Sequence, residues 1–74
     1  MYIITQNNTL LNMNRVVCMD ILKSINTYHA EIRAKADGFE FNIYAGEVND
    51  VIDAFHTIKE GLVQGASFID FSKE

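Results

Sequence analysis

The sequence contains no proline and no tryptophan, and its single cysteine is Cys18. One cysteine cannot form an internal disulfide, whereas secreted domains of this size usually carry several bridges. No apolar run approaches the roughly 18 residues that a membrane-spanning helix needs, and the N-terminus lacks the basic and apolar regions of a secretory signal. These absences predict a cytoplasmic protein with no membrane partner.

Basic residues are also few. Six lysines and arginines stand against ten acidic residues, which gives a formal net charge of −4, and the bases are scattered along the chain. Such a surface repels phosphate backbones, so we expect no nucleic-acid partner. The 49% hydrophobic content argues against disorder, and 74 residues allow a single domain, 1–74. Because so small a core is only marginally stable, we expect a protein partner or self-association as a homo-oligomer.

The clearest local pattern lies in residues 28–45, where apolar and polar residues alternate on both sides of Asp37-Gly38. This dipeptide between alternating segments is the strongest short signal for a β-hairpin. A two-residue turn sets four inner pairs in register: Ala36 with Phe39, Ala34 with Phe41, Ile32 with Ile43, and Ala30 with Ala45. On the outer face the same register sets Lys35 opposite Glu40 and places Tyr44 beside Glu31.

The segments before the hairpin have shorter strand patterns. Residues 2–5 read as a strand followed by a tight turn at residues 6–8. Residues 9–22 are strand-like but interrupted by a polar stretch at 12–15, which predicts a bulge or a second turn. Residues 23–27 are predicted to form a loop, because serine, asparagine and threonine compete with the sheet for backbone hydrogen bonds.

After Gly46 the apolar spacing changes from two residues to three and four, which predicts an amphipathic helix. Asn49 is the expected N-cap and Gly65 the expected left-handed stop. Gly61 inside the last turns costs about 1 kcal/mol relative to alanine, so fraying is expected there. Residues 66–71 can form a final short strand or an extended tail. The predicted fold is α+β: an antiparallel four-stranded β-meander covered by one C-terminal amphipathic helix.

The layout resembles a group of small, uncharacterised proteins that Gram-positive bacteria and their prophages encode. The resemblance is carried by the segments Ile3-Ile4-Thr5-Gln6-Asn7, Leu11-Asn12-Met13-Asn14-Arg15-Val16 and Met19-Asp20-Ile21, followed by the hairpin at Asp37-Gly38, the Gly46-Glu47 step, the helix, and Gly65 with its aromatic tail. It covers nearly the whole chain and contains no catalytic motif. It implies a bacterial or phage origin and a β-meander plus one helix, and it transfers no functional residue.

Candidate catalytic and metal-binding groups are sparse. Cys18 with His29 or His56 would supply a thiol and an imidazole, but no local motif surrounds Cys18, and its apolar segment favours a buried structural cysteine. Asp53, His56 and Glu60 share one side of the helix, where a solvated polar face is favoured over a metal site. We therefore expect no enzyme, no cofactor and no metal.

The remaining candidates are surface residues. Tyr44 on the outer hairpin face, beside Glu31, would suit a protein contact, and Val17 and Leu10 are further apolar residues without a place in the core. The leading interpretation is a non-enzymatic interaction module whose sheet face or edge pairs with another protein or with itself. The alternative is an acidic, phage-type inhibitor that mimics nucleic acid, with three helix carboxylates as its contacts: Asp50, Asp53 and Glu60.

Overall fold

The computed structural model of the protein describes residues 1–24 and 28–72. Within them the chain forms strands that divide between two three-stranded sheets, and one α-helix. In chain order the elements are β1 (Tyr2–Ile4), β2 (Leu10–Asn12), a 3-10 turn (Met13–Arg15), β3 (Val16–Lys23), β4 (His29–Ala36), β5 (Phe39–Glu47), α1 (Val48–Gln64) and β6 (Phe68–Asp70).

The larger sheet is an antiparallel meander in the order β3-β4-β5. The predicted hairpin is confirmed: Asp37 and Gly38 join β4 to β5 with φ angles of 53° and 81°. Both angles are positive, as the tight turn that matches the twist of two strands requires. Ala36 pairs with Phe39 and Lys35 pairs with Glu40, as the alternation predicts.

The predicted register is wrong beyond the middle of the hairpin. A β-bulge between Arg33 and Ile32 leaves Ile43 as an extra residue in β5. Ile32 consequently pairs with Tyr44, not with Ile43. The same shift sets Ala45 opposite Glu31, so the predicted pair of Ala30 with Ala45 does not form.

The helix begins earlier than its predicted N-cap and ends at its predicted stop. Glu47 is the N-cap residue, with extended backbone angles and no capping hydrogen bond from its side chain, so the prediction of Asn49 is wrong. Gly65 adopts the expected left-handed conformation at a φ of 75° and donates its N–H to the Gly61 carbonyl. Gly61 is buried, and a Cβ built there would lie 3.0 Å from the Ile69 Cδ1. Close packing of the last strand therefore explains this glycine, and the helix continues past it to Gln64.

The smaller sheet has β1 at its centre. β2 runs antiparallel on one side of β1, and β6 runs parallel on the other. The predicted final strand is thus confirmed, and its parallel partner is the first strand of the chain. Ile3, Leu11 and Ile69 lie side by side in this sheet; the first two are buried and the third packs against the core.

One hydrophobic core joins the helix to both sheets. α1 packs against all three strands of the larger sheet. Its buried residues Val51, Ala54 and Ile58 belong to the same core cluster as Ile32 and Ile43. The α+β class is confirmed, while a single four-stranded meander is not, because β1 and β2 belong to the second sheet. The predicted break within residues 9–22 is the 3-10 turn, and residues 25–27 of the predicted loop lie outside the described part of the chain.

Gln6 connects the two sheets. Its backbone N–H donates to the Ile43 carbonyl at 2.9 Å. Its side-chain amide donates to the Ala45 carbonyl and accepts from the Ala45 N–H, both at 3.0 Å. The amide therefore satisfies both backbone groups of one residue, as a neighbouring strand would.

Candidate interaction surfaces

The outer face of the smaller sheet carries an exposed apolar patch. Paired residues share a face of a sheet, so Tyr2 lies beside Phe68 and Ile4 beside Leu10. We call these four residues the apolar patch. Tyr2, Leu10 and Phe68 are 45%, 61% and 51% exposed, respectively, and Ile4 is half-buried. Adjacent apolar side chains left in water on one sheet face are typical of a surface that binds a protein.

A second uncovered feature is the edge of the larger sheet formed by β3. This strand has eight residues and hydrogen-bonds only to β4 in the sheet order. Val17 is 82% exposed and Leu22 is 45% exposed on it. The opposite edge, β5, is covered in part by Gln6. Along the described chain, the β5 edge is thus covered at Ile43 and Ala45, whereas no strand pairs with the β3 edge.

The outer face of the larger sheet is charged, and its groups are already paired. The Arg33 guanidinium lies 3.0 Å from Glu40 and 3.1 Å from Glu31. The hydrogen bond to Glu40 and the charge of Glu31 raise the pKa of Arg33. The second carboxylate oxygen of Glu31 accepts from the Asn42 amide at 2.6 Å. Glu31, which the sequence marks as a contact residue, is therefore occupied by neighbours on its own sheet.

The turn of the hairpin is fastened to the 3-10 turn by an ion pair. Arg15 donates two hydrogen bonds to Asp37, at 2.7 and 2.9 Å. The hydrogen bonding lowers the pKa of Asp37 and raises that of Arg15.

Near the end of the described chain, hydrogen bonds from the hydroxyl and backbone N–H of Ser72 lower the pKa of Asp70. These exposed contacts fix local geometry and contribute little to stability.

Tyr44 does not lie where the sequence predicts it. Because of the bulge it stands opposite Ile32 and packs, half-buried, against the core. Its ring meets that of Phe71 edge to face, with centroids 5.5 Å apart. The residue beside Glu31 is Ala45. The prediction of Tyr44 on the outer face is therefore wrong, because one extra residue reverses the face on which the next side chains lie.

The three helix carboxylates Asp50, Asp53 and Glu60 are all exposed, as is His56. No described ion pair engages these carboxylates, although Lys59 lies near them in sequence, 6.0 Å from the Phe55 ring centroid. Among residues 1–24 and 28–72, no group of three or more histidine, cysteine or acidic side chains is placed to hold a metal ion. These carboxylates thus form an unpaired acidic strip on the helix surface.

Cys18 is exposed, so the prediction of a buried structural cysteine is wrong. It lies in β3 opposite Lys35, on the charged face of the larger sheet. His29 lies toward the other end of β4, and His56 is on the helix, which packs on the opposite face. The structure therefore does not bring the thiol together with either imidazole.

Two open clefts accompany these surfaces. One is lined by Gln6, Asn7, Asn42 and Ala45. Its three side-chain amides are already engaged by Ala45, Thr5 and Glu31. The other adjoins the start of the helix and is lined by Lys23, Tyr28, Glu47, Val48 and Asn49. Both clefts are open to the surface of the protein.

Sequence reasoning found some members of these surfaces and missed others. Leu10 and Val17 are exposed, as expected of apolar residues without a place in the core. Phe68 and Tyr2 were not assigned to a common surface, because their contact depends on the parallel pairing of the two ends of the chain. The sequence identifies Gln6 only as a turn residue, because a side-chain amide that bonds to the backbone of a distant strand leaves no local sequence pattern.

No helix of the described chain is long and apolar enough to cross a membrane. Comparison of the chain with family models, with curated proteins and with solved structures found no match in any of the three.

Proposed function

We propose that this protein is a non-enzymatic, cytoplasmic interaction module of bacterial or phage origin that binds another protein through the apolar patch. The observation that carries the proposal is the exposure of Tyr2, Leu10 and Phe68 together on one sheet face. The bacterial or phage origin is supported by the resemblance in sequence layout alone.

The patch has the composition of a binding surface. Tyrosine and phenylalanine contribute large contact areas with few rotatable bonds, and aromatic residues are enriched at the centres of protein interfaces. The β1-β2-β6 sheet also holds the patch on paired strands, so little conformational entropy is lost when a partner covers it. The other exposed face, on the larger sheet, is charged and internally paired, which makes it the weaker candidate.

The proposal predicts that Leu10→Lys abolishes partner binding without unfolding the protein. A lysine at this 61% exposed position keeps its own ammonium in water but forces a partner to bury it. The measurement is affinity capture from an extract of the source organism, with bound proteins quantified by mass spectrometry for the wild-type and variant proteins side by side.

Val63→Lys is the matched control for this experiment. Val63 is 87% exposed, lies on the helix and not in the apolar patch, and receives the same change of charge. A protein retained by the wild type and by Val63→Lys but lost with Leu10→Lys supports the proposal. Equal retention by all three would reject the apolar patch as the binding surface.

A second function, inhibition of a basic nucleic-acid-binding protein, is favoured by one observation: Asp50, Asp53 and Glu60 are exposed and have no described ion pair. Unpaired carboxylates on one side of a helix can mimic a row of phosphates and attract a basic groove.

This second function predicts that the triple variant Asp50→Asn/Asp53→Asn/Glu60→Gln loses a partner that free DNA also displaces. Captured proteins would be eluted with duplex DNA and compared between variants. The control changes the net charge equally on the larger sheet, with the substitutions Asp20→Asn, Glu31→Gln and Glu40→Gln. Loss of the partner with both triple variants would show a general charge effect and contradict the mimicry.

A further inference from the structure

The apolar patch shares its sheet face with one charged residue. Paired residues lie side by side, so the outer face of the smaller sheet has two rows that cross β2, β1 and β6. The first row contains Asn12, Tyr2 and Phe68, and the second contains Leu10, Ile4 and Asp70. Asp70 is therefore the neighbour of Ile4 on the next strand, at a strand spacing of about 5 Å. Neither row contains a lysine or an arginine.

Ser72 holds the Asp70 carboxylate in position. The Ser72 N–H donates to the Asp70 Oδ1 at 2.8 Å. Hydrogen bonds from the Ser72 hydroxyl and from this N–H lower the pKa of Asp70, so its carboxylate is negatively charged at neutral pH. Within residues 1–24 and 28–72, no basic side chain forms an ion pair with it. Asp70 is exposed, so this charge is accessible to a partner.

A partner that covers Ile4 and Phe68 also reaches Asp70, because the three side chains are adjacent on the sheet face. Removing a carboxylate from water is costly unless a cation or a hydrogen-bond donor replaces the water. Lysine and arginine supply the cation, and their aliphatic stems also cover apolar surface. A purely apolar or acidic partner would leave the carboxylate unpaired. Charge complementarity therefore favours a partner that places a base beside its apolar side chains.

A second copy of the chain does not have this character. In a two-fold interface each copy contributes the same surface. The two rows contain Asp70 but no base, so pairing the face with itself sets this carboxylate against apolar side chains or against its own counterpart. The formal net charge of −4 on each chain adds a general repulsion. A different protein that carries a base is the better fit.

We infer that the apolar patch binds a protein segment whose apolar side chains are flanked by lysine or arginine, and that one of these bases pairs with Asp70. This inference rests on the proposed function and adds the chemistry of the partner to it. It is separate from the mimicry of nucleic acid by the helix carboxylates, because Asp70 lies in β6 and not on α1.

Two synthetic peptides of defined chemistry serve as probes. Both form amphipathic helices of the same length with leucine on the apolar side, and the polar side carries lysine in one and glutamate in the other. We expect the lysine peptide to bind the wild-type protein more tightly, as measured by the fluorescence anisotropy of labelled peptide. Leu10→Gln is expected to raise its dissociation constant about tenfold, because the variant removes apolar contact without a change of charge.

Asp70→Asn tests the contact with the base, and Asp53→Asn is its matched control. Asparagine at position 70 keeps the oxygen that accepts from the Ser72 N–H, whereas the charge is lost. Asp53 is exposed on α1, and its replacement removes the same charge outside the apolar patch. We expect the dissociation constant of the lysine peptide to rise about fivefold with Asp70→Asn and less than about twofold with Asp53→Asn. Added salt is expected to reduce the effect of Asp70→Asn, because it screens exposed charges.

Equal effects of Asp70→Asn and Asp53→Asn, or equal affinities for the two peptides, would overturn the inference. A lysine peptide that does not bind, or that binds Leu10→Gln as tightly as the wild type, would overturn it as well. So would a wild-type dimer, detected by light scattering, that Leu10→Gln dissociates, since a second copy would then occupy the apolar patch.

These outcomes are distinguishable from failure of the proposed function. That failure is measured by the capture experiment with Leu10→Lys and Val63→Lys, which uses neither peptide. A captured protein that is lost with Leu10→Lys and fully retained by Asp70→Asn would keep the apolar patch as a binding surface and reject the pairing of a base with Asp70.

Discussion

Replacing Ile43 with alanine is expected to leave most of the protein unfolded at room temperature. Ile43 is the extra residue of the bulge, and its side chain is completely buried against the core. Truncating a buried isoleucine costs about 2–5 kcal/mol, from lost burial and from the cavity that remains. A single core of this size rarely supplies more than about 3–5 kcal/mol in total. The substitution thus removes most of the free energy of unfolding.

Urea titration followed by circular dichroism measures the effect as a fall in the denaturation midpoint. Val63→Ala is the control, because Val63 is 87% exposed and its truncation removes little buried area. Equal midpoints for the two variants would mean that the bulge does not carry Ile43 into the core.

The second large effect is expected at Gln6. In Gln6→Ala the Ala45 N–H and carbonyl lose the partners that the amide supplies. Unsatisfied groups in a partly buried site cost about 1–3 kcal/mol. The loss also exposes the backbone groups of Ala45 on the edge of β5, so we expect Gln6→Ala to aggregate more readily than the wild-type protein, in addition to a lower urea midpoint.

The variant Gln6→Glu tests the contribution of the hydrogen bonds to stability while the size of the side chain stays the same. A carboxylate keeps the size of the amide and accepts from the Ala45 N–H, but it has no proton for the Ala45 carbonyl. We expect Gln6→Glu to be destabilised at neutral pH and to recover below the pKa of a glutamic acid, about 4.3, where the protonated side chain donates again. The midpoint is measured relative to the wild-type protein at each pH. A Gln6→Glu midpoint that follows the wild type at every pH would show that the carbonyl contact is unimportant.

The hairpin shows how far local pattern predicts this fold. Asp37-Gly38 fixed both the turn and the pairs next to it, because turn geometry and alternation act over a few residues. The bulge at Ile43 has no such signal, since Phe39, Phe41 and Ile43 continue to alternate through it. Gln6 bonds to the backbone at the bulge and two residues after it, at Ile43 and Ala45. Ile43 and Ala45 are distant from Gln6 in sequence, so the bulge depends on tertiary contacts.

The sequence predicts that some apolar residues lie on the surface, but it does not predict which residues lie together there. Apolar residues beyond the needs of the core predict an exposed apolar surface, and Leu10 is exposed in the apolar patch. Tyr44 is not, because the bulge carries it to the core. Cys18 was expected to be buried because its neighbours are apolar, yet apolar neighbours also occur on an edge strand. Whether a strand is central or at an edge is set by the order of the whole sheet, which local alternation does not encode.

The parallel pairing of β1 with β6 has a consequence for synthesis on the ribosome. β1 emerges early, but it lies at the centre of its sheet, and one of its two neighbours is the last strand of the described chain. The larger sheet and the helix precede β6 in the chain, whereas β1 keeps one side unpaired until residues 68–70 have left the exit tunnel. During that interval the nascent chain exposes a β-branched strand that the finished protein hides, and this is the period in which it most needs a chaperone.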